Sequence, residues 1–317
     1  MSSSSERIHV AVGAIINDAG EVLITQRAEH HHQGGLWEFP GGKREDNESI
    51  QTALARELKE ELGIEVQQST PLIRIHHDYS DRQVLLDVWR VTQFAGVASG
   101  REGQPLRWVN PAVLDAGVFP QANVPIIKAL QLPEKYLITG KFSDRDDFIR
   151  RLQAALEKGI RLVQFRPRSA LSDADYAALV EQAMQLTQRY RAKLLLNTSV
   201  AEFERHEADG LHMNSDALMA CTTRPIAKDK WLCASVHDET ELAQANKIGV
   251  DFMMLSPVLP TQSHPGAATL GWERFQQLTE RAQSPVYALG GMEVELLPLA
   301  QEKGAQGIAA ITAFWGR

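Results

Sequence analysis

Cysteine is scarce in this chain. Only Cys221 and Cys233 occur among 317 residues, in no metal-type spacing and too few to frame a disulfide-stabilised fold. Long apolar runs are missing too: nothing approaches the roughly 18 consecutive apolar residues of a membrane span. The opening MSSSSERIH lacks the apolar segment of a secretory signal, so a reducing cytoplasm is the expected compartment. Lys/Arg-rich runs are absent, and a formal charge of -7 argues against a general nucleic-acid-binding surface. Neither nucleic acid nor a membrane is expected as a partner. A free nucleotide stays open, because metal can carry its phosphates.

What is present is the composition of an ordinary globular protein, 44% apolar and 23% charged. The length exceeds a typical single domain, so two domains, or one domain plus a barrel, are expected. The most informative stretch is GKREDNESIQTALARELKEELGI, Gly42 to Ile64. Ile50, Leu54, Leu58 and Leu62 recur every four residues and make a buried helical stripe. Gly63 follows, where a residue free to take positive φ ends a helix. Glu57, Glu60 and Glu61 share another face about a turn apart. Like charges so placed repel, so either a hard divalent cation neutralises them or they form a solvated acidic face. Spacing alone leaves both open.

Around this helix the pattern is mixed α/β. Ile8 to Ile16 reads as a strand, Asp18 to Gly20 as a turn, and Glu21 to Gln26 as the return strand of a hairpin. The loop RAEHHHQGGLWEFPGG follows. Its adjacent histidines, His30, His31 and His32, read as plain polar residues, since neighbours rarely aim at one ion. Gly41 and Gly42 let the backbone approach a ligand closely. Strands are expected at Leu72–His77, Val84–Val91 and Trp108–Val109, with a closing helix beginning near Pro125.

Gly42, Glu48, Arg56, Glu57, Leu58, Glu60, Glu61, Gly63 and Ile64 fill every fixed position of the Nudix box, so residues 1–132 resemble a Nudix hydrolase domain. AVGAIIND, ITQRA, WEFPGGK, REGQP and FPQANVPII narrow the likeness to the MutT type, which removes 8-oxo-dGTP from the nucleotide pool. That resemblance implies an α/β/α sandwich with a mixed sheet and a small-molecule nucleotide substrate. It implies Mg2+ or Mn2+ held by Glu57, Glu60, Glu61, Glu102 and the Gly41 carbonyl, with Arg56 orienting the glutamates. Arg27, His32, Glu38, Phe39 and Asn123 would contact the nucleotide, Asn123 reading the purine edge. Asn123 also suits a helix N-cap. A Nudix hydrolase of another nucleotide is the alternative.

After the linker Leu132–Lys135, eight strand-like runs alternate with helical ones, from Tyr136–Thr139 to Gly307–Ile311. A (β/α)8 TIM-type barrel is expected over 133–317, with sites at the C-terminal strand ends. Spacers after the third and fourth strands look too short for full helices, and nothing clearly helical follows the eighth. VQFRPR, LLLN, DGLHM, SVH, SPVLPTQSHPG and ALGGM resemble thiamine phosphate synthase and its relative, the thiazole tautomerase. Gln164, Arg166, Thr261 and Gly291 would contact phosphate. His237 stands where the tautomerase carries a histidine. Where the synthase has Asn-Asp, this chain has Asn197-Thr198; where a second metal Asp follows, it has Ala217 beside Asp216. His264 replaces a lysine, and Pro167 interrupts Arg-Glu-Lys. Lost carboxylates weaken pyrophosphate handling. The barrel is thus read as diverged, as the transferase half of a bifunctional enzyme, or as a binding or homo-oligomer-forming module.

Overall fold

Strand β1 (Ile8–Ile15) has two edges, and neither is taken by the strand that follows it. Strand β2 (Val22–Gln26) meets its end at a single bridge, Ile16 to Val22, which corrects the expected hairpin. Asn17 closes the turn, its Oδ1 accepting from the Ala19 and Glu21 amides at 3.0 and 2.9 Å. The structure, a computed structural model, describes residues 8–29, 33–78, 83–167, 171–261, 266 and 268–316. It divides into two units, Met1–Gln131 and Leu132–Arg317.

In the first unit the glycine-rich stretch read as loop supplies β3 (Trp37–Glu38) and β4 (Gly41–Lys43). Strand β4 lies antiparallel on β1, with Gly42 opposite Ala11. Helix α1 (Ile50–Leu62) follows, capped by the Ser49 hydroxyl accepting from Thr52 N and closed by Gly63 at φ 73°. Two long strands, β5 (Glu65–Asp78) and β6 (Gln83–Ala95), pair antiparallel, and β6 fills the other edge of β1 in parallel. The mixed sheet is therefore β4-β1-β6-β5. With both edges of β1 occupied, β2 pairs instead with β3 and β7 (Leu106–Val109). Side chains alternate across β1. Ala11 and Ile15 pack with Leu54, Leu58 and Leu62 of α1. Val12 and Ala14 pack on the other face with Ile126 and Ile127 of α2 (Val124–Gln131). That is an α/β/α sandwich.

The second unit is a closed barrel of eight parallel strands. Its order is β8 (Lys135–Ile138), α3 (Arg145–Glu157), β9 (Leu162–Phe165), α4 (Asp173–Arg189), β10 (Lys193–Leu196), α5 (Val200–Phe203), β11 (Gly210–Met213) and α6 (Ser215–Ala220). It continues with β12 (Trp231–Val236), α7 (Glu239–Ile248), β13 (Phe252–Leu255), α8 (Gly271–Thr279), β14 (Val286–Leu289), α9 (Leu297–Glu302), β15 (Gly307–Ala310) and α10 (Thr312–Trp315). Tyr136, Phe252 and Tyr287 meet at ring distances of 5.5 to 5.6 Å inside it, so the lower barrel is packed core. The third and fourth spacers are short, as expected, but a helical turn does follow the eighth strand. In that turn Trp315 packs on Phe148 at 5.4 Å and its Nε1 donates to Lys141 O at 2.9 Å. Four residues are too few to show helical periodicity in sequence, so this tie was invisible there.

Candidate functional site

Helix α1 carries its acids against the glycines of β4. A side chain at Gly42 would place Cβ 2.2 Å from the Glu57 carboxylate, and Gly41 holds φ +143° with its own Cβ position 2.1 Å from Ala11 O. Both glycines are needed for the close approach. The Gly41 amide donates to Glu61 Oε2 at 3.1 Å. Arg56 donates to Glu57 at 2.8 Å, Glu60 at 3.3 Å and Glu48 at 2.7 Å. The loop after β6 docks on the end of α1. Arg101 N donates to Glu61 O at 2.9 Å, Gln104 Nε2 donates to the same carbonyl at 3.2 Å, and Glu102 N donates to Gln104 Oε1 at 2.9 Å. This brings Glu102 to Glu61. Burial first, then the charges of Glu102, Glu38 and Glu57, push the Glu61 carboxyl up to about 8 against the pull of the Gly41 amide.

Glu61 is half-buried and feels the charges of Glu102, Glu38 and Glu57, so a cation beside it would be favoured. Carboxylate oxygens beside the glycine-bearing strand β4 fit a hard divalent cation. Among the described residues no three acids already converge as a coordination sphere, because Glu57 and Glu60 face Arg56 and Glu61 faces Gly41 N.

Beside this cluster lies a cavity of about 220 Å³ lined by Arg27, Glu38, Phe39, Gly41, Lys43 and Asn123, with Ile8, Val10, Val12, Val84, Leu86, Pro120 and Ala122. Arg27 pairs with Glu38 at 3.4 Å. Burial raises the Glu38 carboxyl and Arg27 opposes it. Phe39 stacks on Phe119 at 5.6 Å. Asn123 Oδ1 accepts from the Phe39 amide at 3.4 Å, across to the pocket wall. Of the expected nucleotide contacts, Arg27, Glu38, Phe39 and Asn123 are thus brought together, while His32 lies outside the described residues, as do His30 and His31, read as plain polar residues. The apolar floor was missed. Its signal was the step of two along β1 and β6, which turns residues 8, 10, 12, 84 and 86 to one face.

In the barrel the same step of two lifts interior side chains to the C-terminal strand ends. A cavity of about 380 Å³ there is lined by Gln164, Arg166, Asn197, Asn214, Ser215, Ser235, His237, Met254, Ser256, Thr261 and Gly290, among others. An adjoining depression of about 280 Å³ is lined by Thr261, Gly290, Gly291, Glu293 and Thr312, among others. All four expected phosphate contacts therefore border one of the two; His264 lies outside the described residues. Gly290 and Gly291, at φ +98° and +68°, leave no room for Cβ beside Pro257 and Leu259. His212 Nε2 sits 2.9 Å from Ser235 Oγ; burial, then the charge of Arg166, lowers His212 to about 3 and keeps it neutral. His237 Nδ1 lies 2.9 Å from Glu241 and 3.0 Å from Ser215 Oγ. Ser215, Ser235 and Asn214 were missed; the Gln164–Arg166 spacing carried to the next strands finds Asn214 and Ser235, whereas Ser215 opens α6 and is out of that phase.

The first unit is thus an α/β/α sandwich with carboxylates on a helix after a glycine-bearing strand and a half-apolar pocket, and the second a βα barrel with a cavity at its C-terminal strand ends. A family model described as NUDIX domain matches residues 11–129, and one described as Thiamine monophosphate synthase matches residues 135–314. The 8-oxo-dGTP diphosphatase of Escherichia coli (strain K12) is 39% identical over 126 residues, 40% of this chain and 98% of that protein. The CTP pyrophosphohydrolase of the same organism is 39% identical over 118 residues, 37% of this chain and 87% of that protein. The putative thiamine-phosphate synthase 2 of Aquifex aeolicus (strain VF5) is 33% identical over 185 residues, 58% of this chain and 99% of that protein. The chain belongs to the Nudix family through its first unit and to the thiamine monophosphate synthase family through its second. Among the described residues no helix is long and apolar enough to cross a membrane.

Proposed function

We propose that the first unit hydrolyses 8-oxo-dGTP to 8-oxo-dGMP and pyrophosphate, sanitising the cytoplasmic nucleotide pool against mutation. The observation that carries this reading is the single cavity shared by Arg27, Glu38, Phe39, Gly41 and Asn123. Phe39 and the aliphatic floor give a planar base an apolar wall and exclude water. The Asn123 amide offers an acceptor and donors to the purine edge. 8-Oxoguanine has an N7 that has become a donor. An Asn123 acceptor meeting that N–H would meet a lone pair in ordinary guanine, and such a mismatch discriminates strongly.

Glu57, Glu60, Glu61, Glu102 and the Gly41 carbonyl would hold Mg2+ or Mn2+. When bound, the metal lowers the pKa of water and offsets phosphate charge. Arg56 keeps Glu57 and Glu60 on the face toward the glycines of β4. Glu102 would serve either as one of these ligands or as the base that holds or moves the proton of the attacking water. Water attacks the β-phosphorus, the bond from that phosphorus to the α–β bridging oxygen breaks, and 8-oxo-dGMP leaves.

The CTP pyrophosphohydrolase relative favours a second reading with the same chemistry on another nucleotide. Turnover of 8-oxo-dGTP, dGTP and CTP by the full chain separates the two. Equal kcat/KM for 8-oxo-dGTP and dGTP sinks the sanitising role, and CTP as the best substrate establishes the alternative.

A further inference from the structure

The synthase family to which the barrel belongs implies a divalent cation that carries a pyrophosphate, and the barrel's residues do not fit one. The lining of its 380 Å³ cavity supplies amides, hydroxyls, an imidazole and the Arg166 guanidinium, but no carboxylate. A hard divalent cation asks for charged oxygens, and a guanidinium repels it. At the two positions where carboxylates were expected stand Thr198 and Ala217; the neighbouring Asp216 is exposed and does not line the cavity. Glu241 is committed to His237, accepting from its amide at 2.7 Å and lying 2.9 Å from its Nδ1. Glu293, which borders the adjoining depression, is exposed and is one carboxylate alone. Residues 168–170 and 262–265 contain no Asp or Glu by sequence.

What the cavity does offer is recognition by dipoles and one positive charge. Gln164 is fully buried, lines the cavity, and has neither its amide oxygen nor its nitrogen hydrogen-bonded within the protein. The Tyr136 hydroxyl is its neighbour but lies outside bonding geometry. A buried amide without partners costs stability and is usually answered by a ligand or water. Arg166 faces the same space closely enough to act on His212. Thr261, Gly290 and Gly291 close the far side with a turn that admits no Cβ.

We propose that this barrel binds a phosphomonoester without any divalent cation, Arg166 and the Gln164 amide supplying what metal supplies elsewhere in the family, and that it does not process pyrophosphate. The inference is independent of the nucleotide hydrolysed by the first unit.

The test is calorimetric titration of thiamine monophosphate into the full chain carrying Glu57→Gln and Glu61→Gln, which silences the other metal site. Titrations run in excess MgCl2 and in excess EDTA. The expected dissociation constants agree within about twofold, and inorganic pyrophosphate competes no better with Mg2+ than without it. Gln164→Leu removes an unpartnered amide, so the melting temperature holds or rises while binding weakens at least about tenfold. Arg166→Lys weakens binding similarly, because a point charge cannot replace the planar fork. Four results each overturn the proposal: no binding in either buffer, binding that needs Mg2+, an unaffected Gln164→Leu variant, or formation of thiamine phosphate from its two precursors.

Discussion

Replacing Gly42 by alanine tests the idea that the glycines of β4 exist to let the Glu57 carboxylate lie against the backbone. The added Cβ would stand 2.2 Å from the Glu57 carboxyl carbon and Oε2, and 2.4 Å from Oε1. Ordinary contact between such atoms is about 3.5 Å, so the carboxylate must retreat by about 1 Å or more. Glu57 is the end of a flexible side chain and Gly42 carries no positive φ, so the fold absorbs the change. Chemistry does not. A 1 Å misplacement of a catalytic group costs on the order of 100-fold in rate, or about 2.7 kcal/mol of barrier. Gly41→Ala is the control of opposite character. Its Cβ would meet the Ala11 carbonyl at 2.1 Å, and its φ of +143° is one that L side chains rarely adopt. That variant should lose about 1–3 kcal/mol or more of stability. The assay pairs steady-state hydrolysis with urea unfolding for both variants. Gly42→Ala turning over within about threefold of the parent, or losing as much stability as Gly41→Ala, refutes the reasoning.

Asn123→Ala should lower the preference for 8-oxo-dGTP over dGTP by at least about tenfold, leaving dGTP turnover nearly unchanged, as read by kcat/KM for each. Arg56→Ala frees three glutamates at once, and should lower kcat more than KM because Arg56 touches acids rather than the pocket. Chelation by excess EDTA should abolish hydrolysis, and added Mg2+ should restore it. Leu58, wholly buried between α1 and the sheet, should cost about 2–5 kcal/mol as alanine; calorimetry should show the loss in the transition of the first unit, with the barrel transition unmoved.

The helix and its acids were legible because an amphipathic period and a fixed motif coincide over Ile50–Leu62, and the barrel because eight strand and helix runs alternate. Pairing was not legible. Ile8–Ile15 and Val22–Gln26 are apolar on both faces, so nothing in them says whether a neighbour in sequence or a distant strand fills each edge. The competition is settled by Gly41–Lys43, whose glycines hide strand character, and by Gln83–Ala95. The pocket floor was hidden for a related reason: Ile8, Val10 and Leu86 read as core until the sheet shows one end of that face open to a cavity. In the barrel, the resemblance singled out Gln164 as a phosphate contact but not its surroundings. Only the closed topology turns it inward and leaves its amide without a partner.

On the two proposals above, the units would meet the same physical problem, negative charge on phosphate, with opposite side-chain chemistry. In the first, burial and then the neighbouring acids push Glu61 up to about 8, an arrangement that a bound cation would relieve. In the second, burial and then the charge of Arg166 lower His212 to about 3, and the cavity lining carries a guanidinium and no carboxylate. Adding a cation there would add to that positive charge, whereas an anion would offset it. On this electrostatic ground the two proposals are compatible within a chain of one net sign. Chelation should therefore separate them: hydrolysis by the first unit should cease while phosphomonoester binding by the second persists, measured on one sample of the full chain. Loss of both together would mean that metal serves the barrel after all.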